Sequence, residues 1–139
     1  MGTKIVVDTN VYIGALIGRE RAANRELLRQ CLKGNYQLLM SNALFNEYLD
    51  VMNRDEIKSK SPLTTQEAED LSTDFMSVCQ WVKIFYLWRP NLKDEADNHL
   101  VELAIAGNAQ IIVTKNINDF QSSQLQFPQI KILKPEQII

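Results

Sequence analysis

At 139 residues the chain has the length of one domain, with room for a real core. A hydrophobic content of 45 % and a charged content of 23 % exclude a disordered polypeptide, and no apolar run approaches a membrane span. A net charge of −2 excludes a protein that holds nucleic acid by bulk positive charge, though not one whose acidic site is neutralised by bound metal.

Residues 1–139 read as a single α/β domain. Lys4 to Val7 is expected to be a buried strand that delivers Asp8 to its carboxyl tip. Val11, Tyr12, Ala15 and Leu16 have helical spacing, punctuated by Gly14 and Gly18. Ala22 to Lys33 reads as an amphipathic helix with Leu27, Leu28, Cys31 and Leu32 inward, and Gly34 stands where a helix C-cap belongs. Tyr36 to Met40 is a second strand. Ser41 is positioned to cap a helix from Asn42 to Asn53, and Arg54 to Pro62 reads as a polar connection. Thr64 or Thr65 caps a helix reaching about Gln80. Trp81 to Tyr86 is β-prone. Asp94 opens a helix to Ala106, with Gly107 as its stop. Ala109 to Thr114 is the clearest strand. Asn116 to Phe120 forms a turn or short helix, and Gln129 to Leu133 a last strand. Strands alternating with helices imply βαβ units and a parallel sheet, and continuous apolar strands suit a sheet covered on both faces.

No basic segment followed by an apolar one opens the chain, so a cytoplasmic protein is expected. Met1-Gly2 fails the myristoylation pattern because Val6 stands where Ser or Thr is needed. Cys31 and Cys79 lack metal spacing and are expected to be free thiols.

In open α/β sheets, ligands bind beyond the carboxyl ends of the strands, which makes Asp8 the first candidate site residue. Glu47 shares a helix face with Leu44 and Val51 and borders a buried stripe. There an ionised carboxylate needs a basic partner or a metal. Asp97 precedes Leu100, Val101 and Ala104 on the inward face of its helix, or is a first-turn acid that suits the helix dipole. Asp94 is better explained as the N-cap of that helix. Thr114 brings a hydroxyl to a strand tip, followed by Lys115, Asn116 and Asp119, the last a fourth acid or a turn residue. His99 is the only histidine. With Asp97 inward it is expected to face solvent, which disfavours nucleophilic catalysis by Ser or Cys. No phosphate-binding glycine loop occurs. Asn10, two residues after Asp8, stands where a haloacid-dehalogenase-type phosphatase needs a second aspartate, and so disfavours that class.

Val6-Val7-Asp8-Thr9-Asn10-Val11-Tyr12-Ile13 resembles the opening of PIN domains. Glu47 falls in the third helix, where that family carries its second acid. The segment Asp97-Asn98-His99-Leu100-Val101-Glu102-Leu103-Ala104 resembles the one bearing the third, and Ile112 to Phe120 resembles the end of the fourth strand and its turn. The resemblance spans nearly the whole chain and is nearest to bacterial toxins of toxin–antitoxin pairs, the VapC-like group. It implies a three-layer α/β/α fold around a mostly parallel sheet of about five strands. It also implies a Mg2+- or Mn2+-dependent endoribonuclease that leaves a 5′-phosphate, with a cognate antitoxin and frequent homodimerisation. Carried over by position, Asp8, Glu47 and Asp97 are the catalytic and metal-binding acids; Asn10, Asp94, Thr114, Lys115, Asn116 and Asp119, from the reading of the residues themselves, are candidates for a supporting role.

One position departs from the pattern. An aspartate often follows Thr114-Lys115 in the family, and Asn116 stands there, one negative charge fewer. Either Asp119 compensates or the site works with a single metal. Arg19, Arg21 and Arg25 are positioned to contact RNA phosphates, or form a solvated helix face. Tyr12 and Trp88 are aromatic platforms for bases or, more simply, packing residues. The competing readings are a catalytically weak RNA-binding or assembly module, which Asn116 favours, and a structure-selective DNA nuclease, which the short chain disfavours.

Overall fold

A computed structural model describes residues 2–17, 22–84, 98–115, 117, 120 and 129–138. In chain order they form β1 (Thr3–Val7), α1 (Thr9–Ile17), α2 (Ala22–Leu32), β2 (Tyr36–Met40), α3 (Asn42–Met52), α4 (Asp55–Lys60), α5 (Thr65–Ser77), β3 (Gln80–Trp81), α6 (Asn98–Ala106), β4 (Ile111–Val113) and β5 (Lys131–Leu133), followed by a 3₁₀ turn over Pro135–Gln137. The five strands form one sheet in the order β3-β2-β1-β4-β5, and every pairing is parallel. This is the three-layer α/β/α arrangement with a central parallel sheet. From β1 the chain steps outward to β2 and β3, then crosses back to β4 and β5 on the other side. Right-handed crossovers then require helices on both faces. The reversal makes the β1/β4 boundary a topological switch point, where open α/β sheets place ligands.

The core follows from composition. Ile5, Val6 and Val7 of β1, Leu38, Leu39 and Met40 of β2, and Ile112 and Val113 of β4 are all buried. Helix α1 is buried nearly all round through Val11, Tyr12, Ile13 and Ala15, and so is α6 from Leu100 to Ala104. Thr64 caps α5 through a reciprocal box: the Glu67 backbone N–H donates to its hydroxyl at 3.1 Å, and the Glu67 carboxylate accepts from the Thr64 N–H at 2.9 Å. Both cysteines are free thiols, and burial pushes each up to about 12. No helix among the described residues is long and apolar enough to cross a membrane.

Helix α2 ends as expected. Gly34 has φ +86°, its N–H donates to the Cys31 carbonyl at 3.1 Å, and the Asn35 N–H reaches back to Gln30 at 2.9 Å. This double closure requires the left-handed conformation at Gly34. Gly34→Ala should cost about 1–2 kcal/mol in chemical denaturation, although no atom within 4 Å would meet the new Cβ.

Three local expectations are corrected. Helix α6 is closed in the same way, but by Asn108 (φ 57°), with the Asn108 N–H on Ile105 and the Ala109 N–H on Ala104. Gly107 instead lies buried under Leu39, whose Cδ1 would stand 2.4 Å from a Cβ there. The segment 54–62 contains α4, which has no buried residue and little apolar pattern. Asp55 and Glu56 in its first turn and Lys58 and Lys60 in its last suit the helix dipole. The β3 strand is only Gln80–Trp81, because it pairs with β2 alone at the sheet edge; residues 82–84 are not strand, and 85 and 86 lie outside the described residues.

Candidate active site

Register builds the first half of the site. Val7 of β1 is paired with Val113 of β4, so the next residues along, Asp8 and Thr114, leave the sheet side by side. The Asp8 N–H continues the ladder to the Val113 carbonyl at 2.9 Å, and the Thr114 hydroxyl donates to Asp8 Oδ2 at 2.7 Å. Asp8 also starts α1: its carbonyl accepts from the N–H groups of Val11 and Tyr12, so its carboxylate sits at the positive end of that helix. Asp8 is 4 % exposed and Thr114 0 %.

The second half comes from α3, which starts directly after β2. Ser41 caps it, its hydroxyl accepting from the Leu44 N–H at 3.2 Å. Tyr48, fully buried, then donates its hydroxyl to the Val7 carbonyl at 2.6 Å. That bond ties α3 to the residue immediately before Asp8. Glu47, the preceding residue on α3, is held at the same end of the sheet. Its side chain is 35 % exposed, and its Oε2 lies 2.5 Å from His99 Nε2 on α6.

The two carboxylates are electrostatically coupled. Burial raises the Asp8 pKa, the Thr114 and Thr9 hydrogen bonds oppose that, and the Glu47 charge raises it further; the net displacement is upward. Glu47 is displaced downward: burial pushes it up, but His99, through its hydrogen bond and charge, outweighs burial, with help from Thr9 and Arg54. Thr9 therefore stands close to Glu47, yet its buried hydroxyl makes no hydrogen bond of acceptable geometry. Thr9 Oγ1 is therefore left over at the site. Asn10 Oδ1 and His99 Nδ1 are likewise buried without a hydrogen-bond partner. Buried polar atoms are rarely orphaned, and these three, on the two residues that follow Asp8 and on the partner of Glu47, suit a polar or cationic ligand.

Among the expected site residues, Asp8, Glu47, Asn10 and Thr114 gather at this end of the sheet. Lys115, half-buried, follows Thr114. Asp94, Asp97, Asn116 and Asp119 lie outside the described residues, as do Arg19, Arg21 and Trp88. Among the described residues, no three His, Cys, Asp or Glu side chains gather as a metal site. Oxygen donors from Asp8 and Glu47, with Thr9 and Asn10 beside them, nevertheless fit a hard divalent cation. Arg25 is exposed and its Nε donates to the Ala15 carbonyl at 3.3 Å, near the end of α1. Tyr12 is fully buried, a core residue rather than a base platform.

His99 is the residue that sequence reasoning misplaced. Its side chain is 12 % exposed and paired with Glu47, not solvated. The missed signal is Leu103, four residues on and fully buried, which puts His99 on a second inward stripe of α6. Glu102, 3 % exposed, was also missed.

A comparison with curated proteins finds no match. Among solved structures, the chain is similar to VapBC2 from Rickettsia felis bound to a DNA fragment from their promoter. The sequence identity is 17 %, the TM-score 0.59, and the match covers 94 % of this chain and 97 % of that one. At that identity the likeness speaks for the fold. A match to the PIN domain model runs from residue 4 to residue 118, across the strand that delivers Asp8, the helix that carries Glu47 and the strand that ends beside Thr114, and so the chain belongs to the PIN domain family.

Proposed function

We propose that this PIN domain is a divalent-metal-dependent endoribonuclease that acts in the cytoplasm as the toxin of a toxin–antitoxin pair, with Asp8, Glu47 and Asp97 as its catalytic, metal-holding acids. The observation that carries the reading is the meeting of Asp8, at the tip of β1 beside the switch point, with Glu47 of α3, amid polar atoms with no partner. Two like charges brought together from different elements are costly unless a cation joins them.

Mg2+ or Mn2+ bound there would supply positive charge for the phosphoryl oxygens and acidify a water. The protein's part is to hold and aim. Thr114 fixes one oxygen of Asp8. Tyr48 fixes α3 against β1, and so the spacing of the two acids. Asn10 and Thr9 offer further oxygens at the same edge. Lys115 adjoins the site and is the cation we assign to the RNA phosphate. The similarity to a VapBC2 assembly supports an antitoxin partner, and the toxin reading brings a homodimer with it.

The test is cleavage of labelled RNA and of single-stranded and flap DNA with Mn2+. RNA should be cut and DNA left nearly intact. EDTA should abolish cutting, and Mn2+ or Mg2+ added in excess should restore it. Cutting that survives EDTA would remove the metal from the mechanism. Preferential cutting of flaps would point to the DNA nuclease reading. No cutting of either polymer, together with equal Mn2+ affinity in wild type and Asp8→Asn, would point to the inert module.

A further inference from the structure

The geometry points to His99 as a positioning residue for this site: its Nε2–H grips Glu47 Oε2 and holds that carboxylate toward Asp8. The inference rests on the metal-site reading above and adds a residue to it.

Glu47 has little else to hold it. It projects from the second turn of α3, its side chain is 35 % exposed, and three rotatable bonds let it swing into solvent. Fixing such a side chain costs up to about 2 kcal/mol of rotamer freedom. Among the described residues the 2.5 Å contact with His99 is the one side-chain hydrogen bond of good geometry that Glu47 makes, and burial-opposing help from Thr9 and Arg54 is weaker. An ionised carboxylate only accepts, so the imidazole must donate from Nε2. That bond occupies Oε2.

His99 is itself well placed to act as an anchor. It lies in the first turn of α6, whose following residues Leu100 to Ala104 are all buried, and α6 packs on β1, β2 and β4. The imidazole therefore carries the rigidity of the sheet to a half-exposed acid on another helix. Groups that orient a ligating carboxylate typically matter 10–100-fold in metal affinity.

The chain has a single histidine, so one imidazole spin system reports on the contact in ¹⁵N NMR of the wild type. The metal-free protein should carry a proton on Nε2, with a shift that moves in Glu47→Gln. A bare Nε2 would overturn the proposal without any His99 variant being made. Mn2+ titration calorimetry then gives the magnitude. His99→Leu should lose about 10–100-fold in affinity, while His99→Gln, whose amide nitrogen reaches the place of Nε2, should stay within about threefold of wild type. Equal loss in Leu and Gln variants of unchanged melting temperature would overturn the hydrogen-bond role and leave the ring itself as the active group. The two levels of failure separate cleanly. If wild type binds Mn2+ no better than Asp8→Asn, the metal-site reading fails and takes this inference with it. If wild type binds, Asp8→Asn does not, and His99→Leu matches wild type, only the assignment of His99 falls.

Discussion

Asp8→Asn should abolish metal-dependent cleavage and, at neutral pH without metal, raise the melting temperature. The two effects have one cause. Asp8 is 4 % exposed, and burial is the main force raising its pKa. The Thr114 hydroxyl and the Thr9 N–H recover only part of that cost, and Glu47 adds to it. Asparagine keeps the shape and an oxygen for Thr114 while removing the buried charge. Activity should fall about a thousandfold, the equivalent of losing about 4 kcal/mol of transition-state stabilisation. The stability change has a defined pH course. An aspartate whose folded pKa lies above the ordinary 3.8 contributes stability that is fully present below 3.8 and is lost as pH rises through the folded value. The advantage of Asp8→Asn should therefore be absent in strong acid and complete at neutral pH. Glu47 runs the other way. Its folded pKa is lowered, so its contribution is present above the ordinary value of 4.5 and lost as pH falls through the folded one. Glu47→Gln should thus lower metal-free stability at neutral pH while also ending cleavage. Melting curves of the three proteins across pH would check both signs, and a destabilised Asp8→Asn at pH 7 would contradict the first.

Tyr12→Ala should be the most damaging core substitution near the site, at about 3–5 kcal/mol. The Tyr12 ring lies fully buried on α1, stacked on Tyr48 of α3 at 4.3 Å and 5°. The edge of Phe75 from α5 meets it at 5.2 Å and 82°, and its hydroxyl pairs with Ser72 at 2.7 Å. Truncation would open a cavity where three helices meet and leave the Tyr48 ring without its stacking partner. Because Tyr48 anchors α3 to Val7, the separation of Asp8 and Glu47 would loosen as well. Tyr12→Phe keeps the rings and loses one hydrogen bond, about 1 kcal/mol. At roughly 2–4 °C per kcal/mol for a chain of this size, the alanine variant should melt on the order of 10 °C below wild type. A loss under about 1 kcal/mol would mean that the neighbouring rings collapse to fill the space.

Much of the architecture was legible because it is local. The apolar run Ile5-Val6-Val7 is a strand by composition, Ser41 and Thr64 are caps by chemistry, and Gly34 is a left-handed stop by its lack of a Cβ. Alternation of strands and helices then allowed few sheets other than a parallel one. Legibility failed where the deciding contact was remote or the signal faint. Helix α4 has no apolar stripe to announce it. Gly107 looked like the end of α6, yet close packing under Leu39 requires glycine there, and Asn108 takes the positive φ. Asp8 could be singled out from its strand, but its tie to Thr114, 106 residues away, depends on the β1–β4 register. The His99–Glu47 contact depends on how α6 crosses α3. An inward face drawn from Leu100, Val101 and Ala104 alone turned the imidazole the wrong way, because α6 is buried on more than one face.

Anomalous diffraction at the manganese edge, from crystals of the wild-type protein grown with Mn2+, addresses the shared cation directly. The account predicts a peak bridging the Asp8 and Glu47 carboxylates at about 2.0–2.5 Å, the range for hard cations with oxygen ligands. A peak bound elsewhere, or no peak at a concentration that supports RNA cleavage, would contradict it.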